Sequence, residues 1–106
     1  MTSEPRDQLL GAFSTHLRSE RNRSEHTVRA YLGDVEGLLT HAGVDSAAQL
    51  GDVTLADLRG WLGTLASDGA ARSTVARRAA AARTFFRWAH DTGRVAHDPS
   101  VRLVSP

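Results

Sequence analysis

Three times in this 106-residue chain an apolar stripe of helical period runs into a glycine, at His41-Ala42-Gly43, Ser67-Asp68-Gly69 and Asp91-Thr92-Gly93. Glycine directly after such a run takes the left-handed backbone that closes a helix, so each triplet predicts a helix end. The stripes before them are Val28, Tyr31, Leu32, Val35, Leu38, Leu39 and Ala42; then Leu55, Leu58, Trp61, Leu62 and Leu65; then Val75, Ala79, Ala82, Phe85, Phe86 and Ala89. Leu9, Leu10, Phe13 and Leu17 add a first helix over about residues 5–20, with Pro5 in its first turn, where a missing N–H costs nothing.

The starts are marked as well. Ser24 caps the second helix with Glu25 against its dipole, Thr54-Leu55-Ala56-Asp57 reads as a capping box with Asp for Glu, and Ser73 is the expected N-cap of the fourth helix. Leu50 and Val53 anchor the polar loop before Thr54, and no alternating strand pattern competes. The fold class is all-α, with four helices in two hairpins. The expected core is Leu10, Phe13, Leu17, Val28, Tyr31, Leu32, Val35, Leu38, Leu58, Trp61, Leu62, Leu65, Val75, Ala82, Phe85, Phe86 and Ala89, with Trp88 one step off the stripe and partly exposed.

Composition narrows the chemistry. With 41% hydrophobic and 24% charged residues, 106 residues make one globular domain. The absence of cysteine removes disulfides, thiol nucleophiles and nearly every structural zinc site. His16, His26, His41, His90 and His97 never pair at i, i+3 or i, i+4, so neither a metal nor another cofactor is expected. No glycine-rich phosphate loop occurs, Ser24, Thr54 and Ser73 are accounted for as caps, and Tyr31 reads as a core aromatic. No catalytic residue is therefore assigned in this chain. Its start, MTSEPRDQ, has no leader pattern and no apolar run is long enough to span a bilayer. A cytoplasmic domain with no membrane partner and no small-molecule substrate is the expectation.

The net charge of +1 conceals segregation. Residues 34–68 hold six acids against Arg59 alone, whereas residues 69–106 hold seven arginines against Asp91 and Asp98. Away from the stripe of the fourth helix, Arg77, Ala80, Ala81, Thr84 and Arg87 are expected to form an exposed cationic face with a flat centre, suited to a polyanion. Two helix starts, Arg23-Ser24-Glu25-His26-Thr27-Val28-Arg29-Ala30 and Arg72-Ser73-Thr74-Val75-Ala76-Arg77, combine free backbone N–H groups with hydroxyls and guanidinium groups. That combination suits phosphate, although solvated arginines on well-capped helices would read the same.

The stretch Ser24-Glu25-His26-Thr27-Val28-Arg29-Ala30-Tyr31-Leu32-Gly33-Asp34-Val35 resembles the Ser-x-x-Thr-x-x-x-Tyr-x-x-Asp-Leu pattern of tyrosine recombinase core-binding domains. Ser73-Thr74-Val75-Ala76-Arg77-Arg78, followed by Ala81-Ala82-Arg83-Thr84-Phe85-Phe86-Arg87-Trp88, is similar to the fourth helix of that family, and Asp98-Pro99 stands where the family has Asn-Pro. The Phe85-Phe86-x-Trp88 form resembles the chromosomal XerC branch.

The resemblance implies an orthogonal, SAM-like four-helix bundle over residues 1–93 that grips double-stranded DNA at a recombination half-site. Residues 94–106 would begin a linker to a C-terminal catalytic domain, which would carry the nucleophilic tyrosine; Tyr31 is not that residue. Thr27, Arg29 and Ala30 on helix two would approach DNA, as would Ser73, Arg77 and Ala81 on helix four, with Arg72, Thr84 and Arg87 on phosphates. Arg23, Ser24 and Thr74 complete the two helix starts. Arg77 is the candidate for base readout, while Ala30 and Ala81 are limited to thymine-methyl contact or close approach. The branch implies resolution of chromosome dimers in a heterotetramer with a XerD-like recombinase. A phage or mobile-element integrase, and a helical protein-interaction module with an acidic partner, remain as alternatives.

Overall fold

In the structure, a computed structural model, residues 3–20 and 22–106 are described. Met1 and Thr2, which open the segment read for a leader, and Arg21 lie outside the described residues.

All three glycine stops close helices. Gly43, Gly69 and Gly93 have φ of 70°, 90° and 77°. In each case the glycine N–H and the next N–H turn back on the helix: Gly43 to Thr40 and Val44 to Leu39, Gly69 to Ala66 and Ala70 to Leu65, Gly93 to His90 and Arg94 to Ala89. These are Schellman closures, which satisfy carbonyls that a helix end otherwise leaves open. The helices they delimit are α2 (Glu25–Ala42), α3 (Leu55–Ser67) and α4 (Arg72–Asp91), preceded by α1 (Arg6–Ser19). A 3-10 turn, Ala47–Asp52, occupies the loop between α2 and α3, and Leu50 and Val53 are buried there as anchors.

Ser24 caps α2 by accepting the Thr27 N–H at 3.1 Å, and the Thr54–Asp57 box is closed at 3.1 and 2.9 Å. The expected Ser73 cap is corrected. Helix α4 starts at Arg72, with Ala71 in the cap position and no side-chain cap bond. The Gly69 closure uses the Ala70 N–H, so only extended Ala71 lies between that closure and α4, and Ser73 falls inside the first turn.

Helix α1 packs on α2 and α3 on α4, and α2 against α4 joins the two hairpins. At the centre, the Phe13 ring meets Phe85 edge-on at 5.1 Å and Phe85 meets Phe86 at 5.2 Å, all three fully buried. Trp88, expected partly exposed, is buried: it lies 5.3 Å from Phe13, and the Arg94 guanidinium covers its ring at 4.2 Å. Leu10, Tyr31, Leu32 and Leu65 of the expected core are half-buried at its rim, while Leu9 and Leu39 are fully inside. The segment read as the start of a linker packs against the bundle as far as Leu103: Val95 and Leu103 are buried, and Arg83 Nη1 donates to the Leu103 carbonyl at 3.0 Å. Among the described residues no helix is long and apolar enough to cross a membrane.

The N-terminal segment is tied to the loop after α2 and to Arg94. Arg6 N–H donates to the Asp45 carbonyl at 2.8 Å and Ala47 N–H to the Glu4 carbonyl at 2.9 Å. The Glu4 carboxylate accepts Arg94 Nε and Nη2 at 2.9 and 3.1 Å.

Those hydrogen bonds hold the Glu4 carboxyl below the usual glutamate range. Its contribution to stability is therefore complete above the unfolded-state glutamate value and is lost as pH falls through the lower folded value. Urea unfolding of wild type and Glu4→Gln from neutral to acid pH should show the wild-type advantage shrinking over that window. A parallel pair isolates the glycines. Gly60, exposed in the middle of α3 with nothing near its missing Cβ, should gain about 0.5–1 kcal/mol on change to Ala, whereas Gly43→Ala should lose about 1–2 kcal/mol.

Candidate nucleic-acid interface

The first turn of α2 spends its hydroxyl groups internally. Ser24 Oγ, besides capping, donates to Thr27 Oγ1 at 3.0 Å, and Thr27 and Ala30 are half-buried. Arg29 is exposed and makes no ion pair among the described residues. Arg23 pairs with Glu20 at 2.9 Å, with its guanidinium 5.1 Å above the Tyr31 ring. Glu25 is engaged by Arg18 at 3.1 and 2.7 Å; those hydrogen bonds, with smaller help from the charge of Arg29, hold its carboxyl below the usual range.

The first turn of α4 is the reverse. Its first intrahelical bond runs from the Val75 N–H to the Ala71 carbonyl at 3.0 Å. With no side chain capping from Ala71, the N–H groups of Arg72, Ser73 and Thr74 have no acceptor within the helix. Arg72 and Ser73 are exposed, Thr74 half-buried, and the first turn contains no acid. The positive end of the α4 dipole thus faces solvent beside a guanidinium group.

Farther along α4 the expected face is confirmed in part. Arg77 and Arg87 are exposed and Ala80 and Thr84 are half-buried. Ala81 is a correction: it is fully buried, so its side chain offers no surface. Helix α4 is covered by α2 and by α3, so its buried positions wrap more than one stripe, and the alanines at 79, 81 and 82 all face inward.

Arg23, Thr84 and Arg87 do come together. They line a groove of about 440 Å³ with His16, Glu20, Trp88 and Asp91, between the end of α1 and the second half of α4. Thr84 and Arg87 also border a second groove of about 320 Å³ with Arg83, Asp98, Ser100 and Val101. No hydrogen bond or ion pair among the described residues joins the α2 start to the α4 start. Nor do the described histidines, aspartates and glutamates form a group able to hold a metal ion.

Arg77 is tied within the fold. Its Nε and Nη2 donate to both oxygens of Asp34 on α2, at 2.9 and 2.7 Å. The Asp34 side chain is 2% exposed, and Arg78 Nε lies 3.3 Å from its Oδ1. The Asp34 hydrogen bonds, followed by its charge, raise the Arg77 pKa above the ordinary arginine value. Sequence reasoning missed Asp34 as a functional residue, yet a signal was there. Three residues after Tyr31 and four before Leu38, it is an acid standing in the apolar stripe of α2.

An all-α domain of two hairpins, with an arginine-bearing face across α2 and α4 and an open helix start, is thereby defined. Residues 10–93 match the phage integrase, N-terminal SAM-like domain, and the chain belongs to that family. Among curated relatives it is 46% identical over 101 residues to the tyrosine recombinase XerC of Mycobacterium sp. (strain KMS), covering 94% of this chain and 34% of that protein. It is 47% identical over 98 residues to XerC of Mycobacterium leprae (strain TN), covering 92% of this chain and 33% of that one. The chain thus spans about a third of the length of these relatives. No solved structure matches it.

Removing the Asp34 charge tests its structural duty. Asp34→Asn should lower unfolding free energy by about 2 kcal/mol in urea titrations, in line with hydrogen bonds to charged groups. No loss would mean that the α2–α4 contact does not depend on the carboxylate.

Proposed function

We propose that this domain is the DNA-gripping part of a XerC-like site-specific tyrosine recombinase, with duplex DNA lying against the starts of α2 and α4 and the groove beside them. The observation that carries the reading is the open, acid-free start of α4, with Arg72 upon it, on the helix that also brings Arg87 to the groove of Arg23 and Thr84. The identity to mycobacterial XerC proteins supports it independently. In this reading Arg72, Arg87 and Arg29 neutralise phosphates, and the free N–H groups of the first α4 turn donate to one more. Ser73 and Thr74 reach sugar and phosphate oxygens, and Thr27, which accepts from Ser24, keeps its own O–H for the same use. Arg77 reads a base, and Ala30 allows close approach. The acidic segment 34–68 is repelled by phosphate, which orients the domain.

A parent chain of the relatives' length would close the clamp with a C-terminal domain that cuts and rejoins strands through a tyrosine. It would work in the cytoplasm with a XerD-like partner, resolving chromosome dimers.

Fluorescence anisotropy on a dimer-resolution half-site and on a scrambled duplex, across a salt series, tests the reading. Affinity should fall steeply with salt on both duplexes. Arg72→Ala and Arg87→Ala should weaken both alike and each lower the salt slope by about one. Ala71→Asp should stabilise the fold by about 1 kcal/mol as an added cap while weakening DNA binding several-fold. No binding even at low salt would contradict the proposal and favour a protein-interaction module.

A further inference from the structure

Two arginines converge on one buried carboxylate, but only one of them is properly bonded to it. Arg77 takes both Asp34 oxygens in a bidentate grip at 2.9 and 2.7 Å. Arg78 brings its Nε to 3.3 Å from the same Oδ1 without hydrogen-bond geometry, and that Nε is buried with no partner. Burying a donor unpaired is unfavourable, and here the acceptor it lacks is already within reach. The two cations also differ in where they can go. The Arg77 side chain is 42% exposed and Arg78 31%, while Asp34 cannot leave the seam at 2%.

We infer that Arg77 and Arg78 are alternative partners of Asp34, and that Arg77 is the one released to an external anion while Arg78 takes over the carboxylate. The release of Arg77 to DNA rests on the function proposed above; the exchange itself does not. Pulling the only partner from a buried carboxylate is strongly destabilising, so an arginine serving both the seam and a ligand would be held back from the ligand. A reserve cation removes most of that obstacle. Arg78 exchanges an unpaired Nε–H for a bonded one, Asp34 stays neutralised, and the Arg77 guanidinium becomes free to meet a phosphate or a base edge. No covalent step is involved, and the charge of the seam changes only in which guanidinium compensates it.

The exchange is tested by a double-mutant cycle in urea unfolding, with wild type, Arg77→Ala, Arg78→Ala and the double variant. Each single variant should keep the folding equilibrium constant within about tenfold of wild type, and the double should fall at least tenfold further than the two losses combined. A double variant that does not fold while both singles do is the same result in stronger form. In Arg77→Ala, the Arg78 Nε–H resonance should move downfield as it bonds Asp34. Additive losses, an unfolded Arg77→Ala or an unmoved Arg78 Nε–H would each overturn the exchange. On duplex DNA, Arg78→Ala should weaken binding several-fold, and Arg78→Lys, which keeps a cation near Asp34, should restore it. Unchanged affinity in Arg78→Ala would overturn the release of Arg77 to DNA. If no variant and no wild type binds duplex, the DNA reading fails while the unfolding cycle still decides the exchange.

Discussion

The seam of α2 against α4 makes one body of two hairpins, and a buried carboxylate fixes where that seam lies. Apolar faces alone tolerate sliding of one helix along another, because Leu38 or Val35 can find another hydrocarbon neighbour. Asp34 cannot. In any other register it would be buried without Arg77 or Arg78, at a cost that exceeds what repacking a few methyl groups could offset. The buried apolar core, with Phe13, Phe85, Phe86 and Trp88 in contact at its centre, supplies the cohesion, and the ion cluster supplies the position.

That position has consequences for the surface. Helix α4 is buried on the sides that meet α2 and α3, which confines its free arginines to one narrow strip and turns Ala79, Ala81 and Ala82 into contacts that let the helices approach. Two arginines drawn to one aspartate leave the cluster with a net positive charge, so the seam adds to the cationic strip instead of cancelling it. The missing cap at Ala71 fits the same pattern. A serine or aspartate there would satisfy the helix but occupy the N–H groups that otherwise face outward.

Much of the fold was legible in the sequence because its punctuation is local. Each glycine stop needs only its own helix to be understood, and all three closures form as read. The same holds for Ser24 and the Thr54–Asp57 box. What failed depended on neighbours that no periodicity reveals. The burial of Ala81 required knowing that α4 is covered twice, and the burial of Trp88 required the Arg94 lid from beyond Gly93. The shift of the α4 cap position from Ser73 to Ala71 followed from the tight connection after Gly69. For the proposed site, the arginines that single out α2 and α4 were readable from the sequence. The tie of Arg77 to Asp34 was not, since residues 43 apart in sequence meet only after folding.

The most direct test of the central claim, that the starts of α2 and α4 and the groove of Arg23, Thr84 and Arg87 form the DNA surface, is chemical-shift mapping. Amide and arginine side-chain resonances of the domain would be followed while half-site duplex is added at low salt. The predicted result is a set of shifts at residues 24–30, at 71–77 and around Arg23, Thr84 and Arg87, with α3 unmoved. Shifts centred on α3 and the acidic segment, or none at saturating duplex, would contradict it.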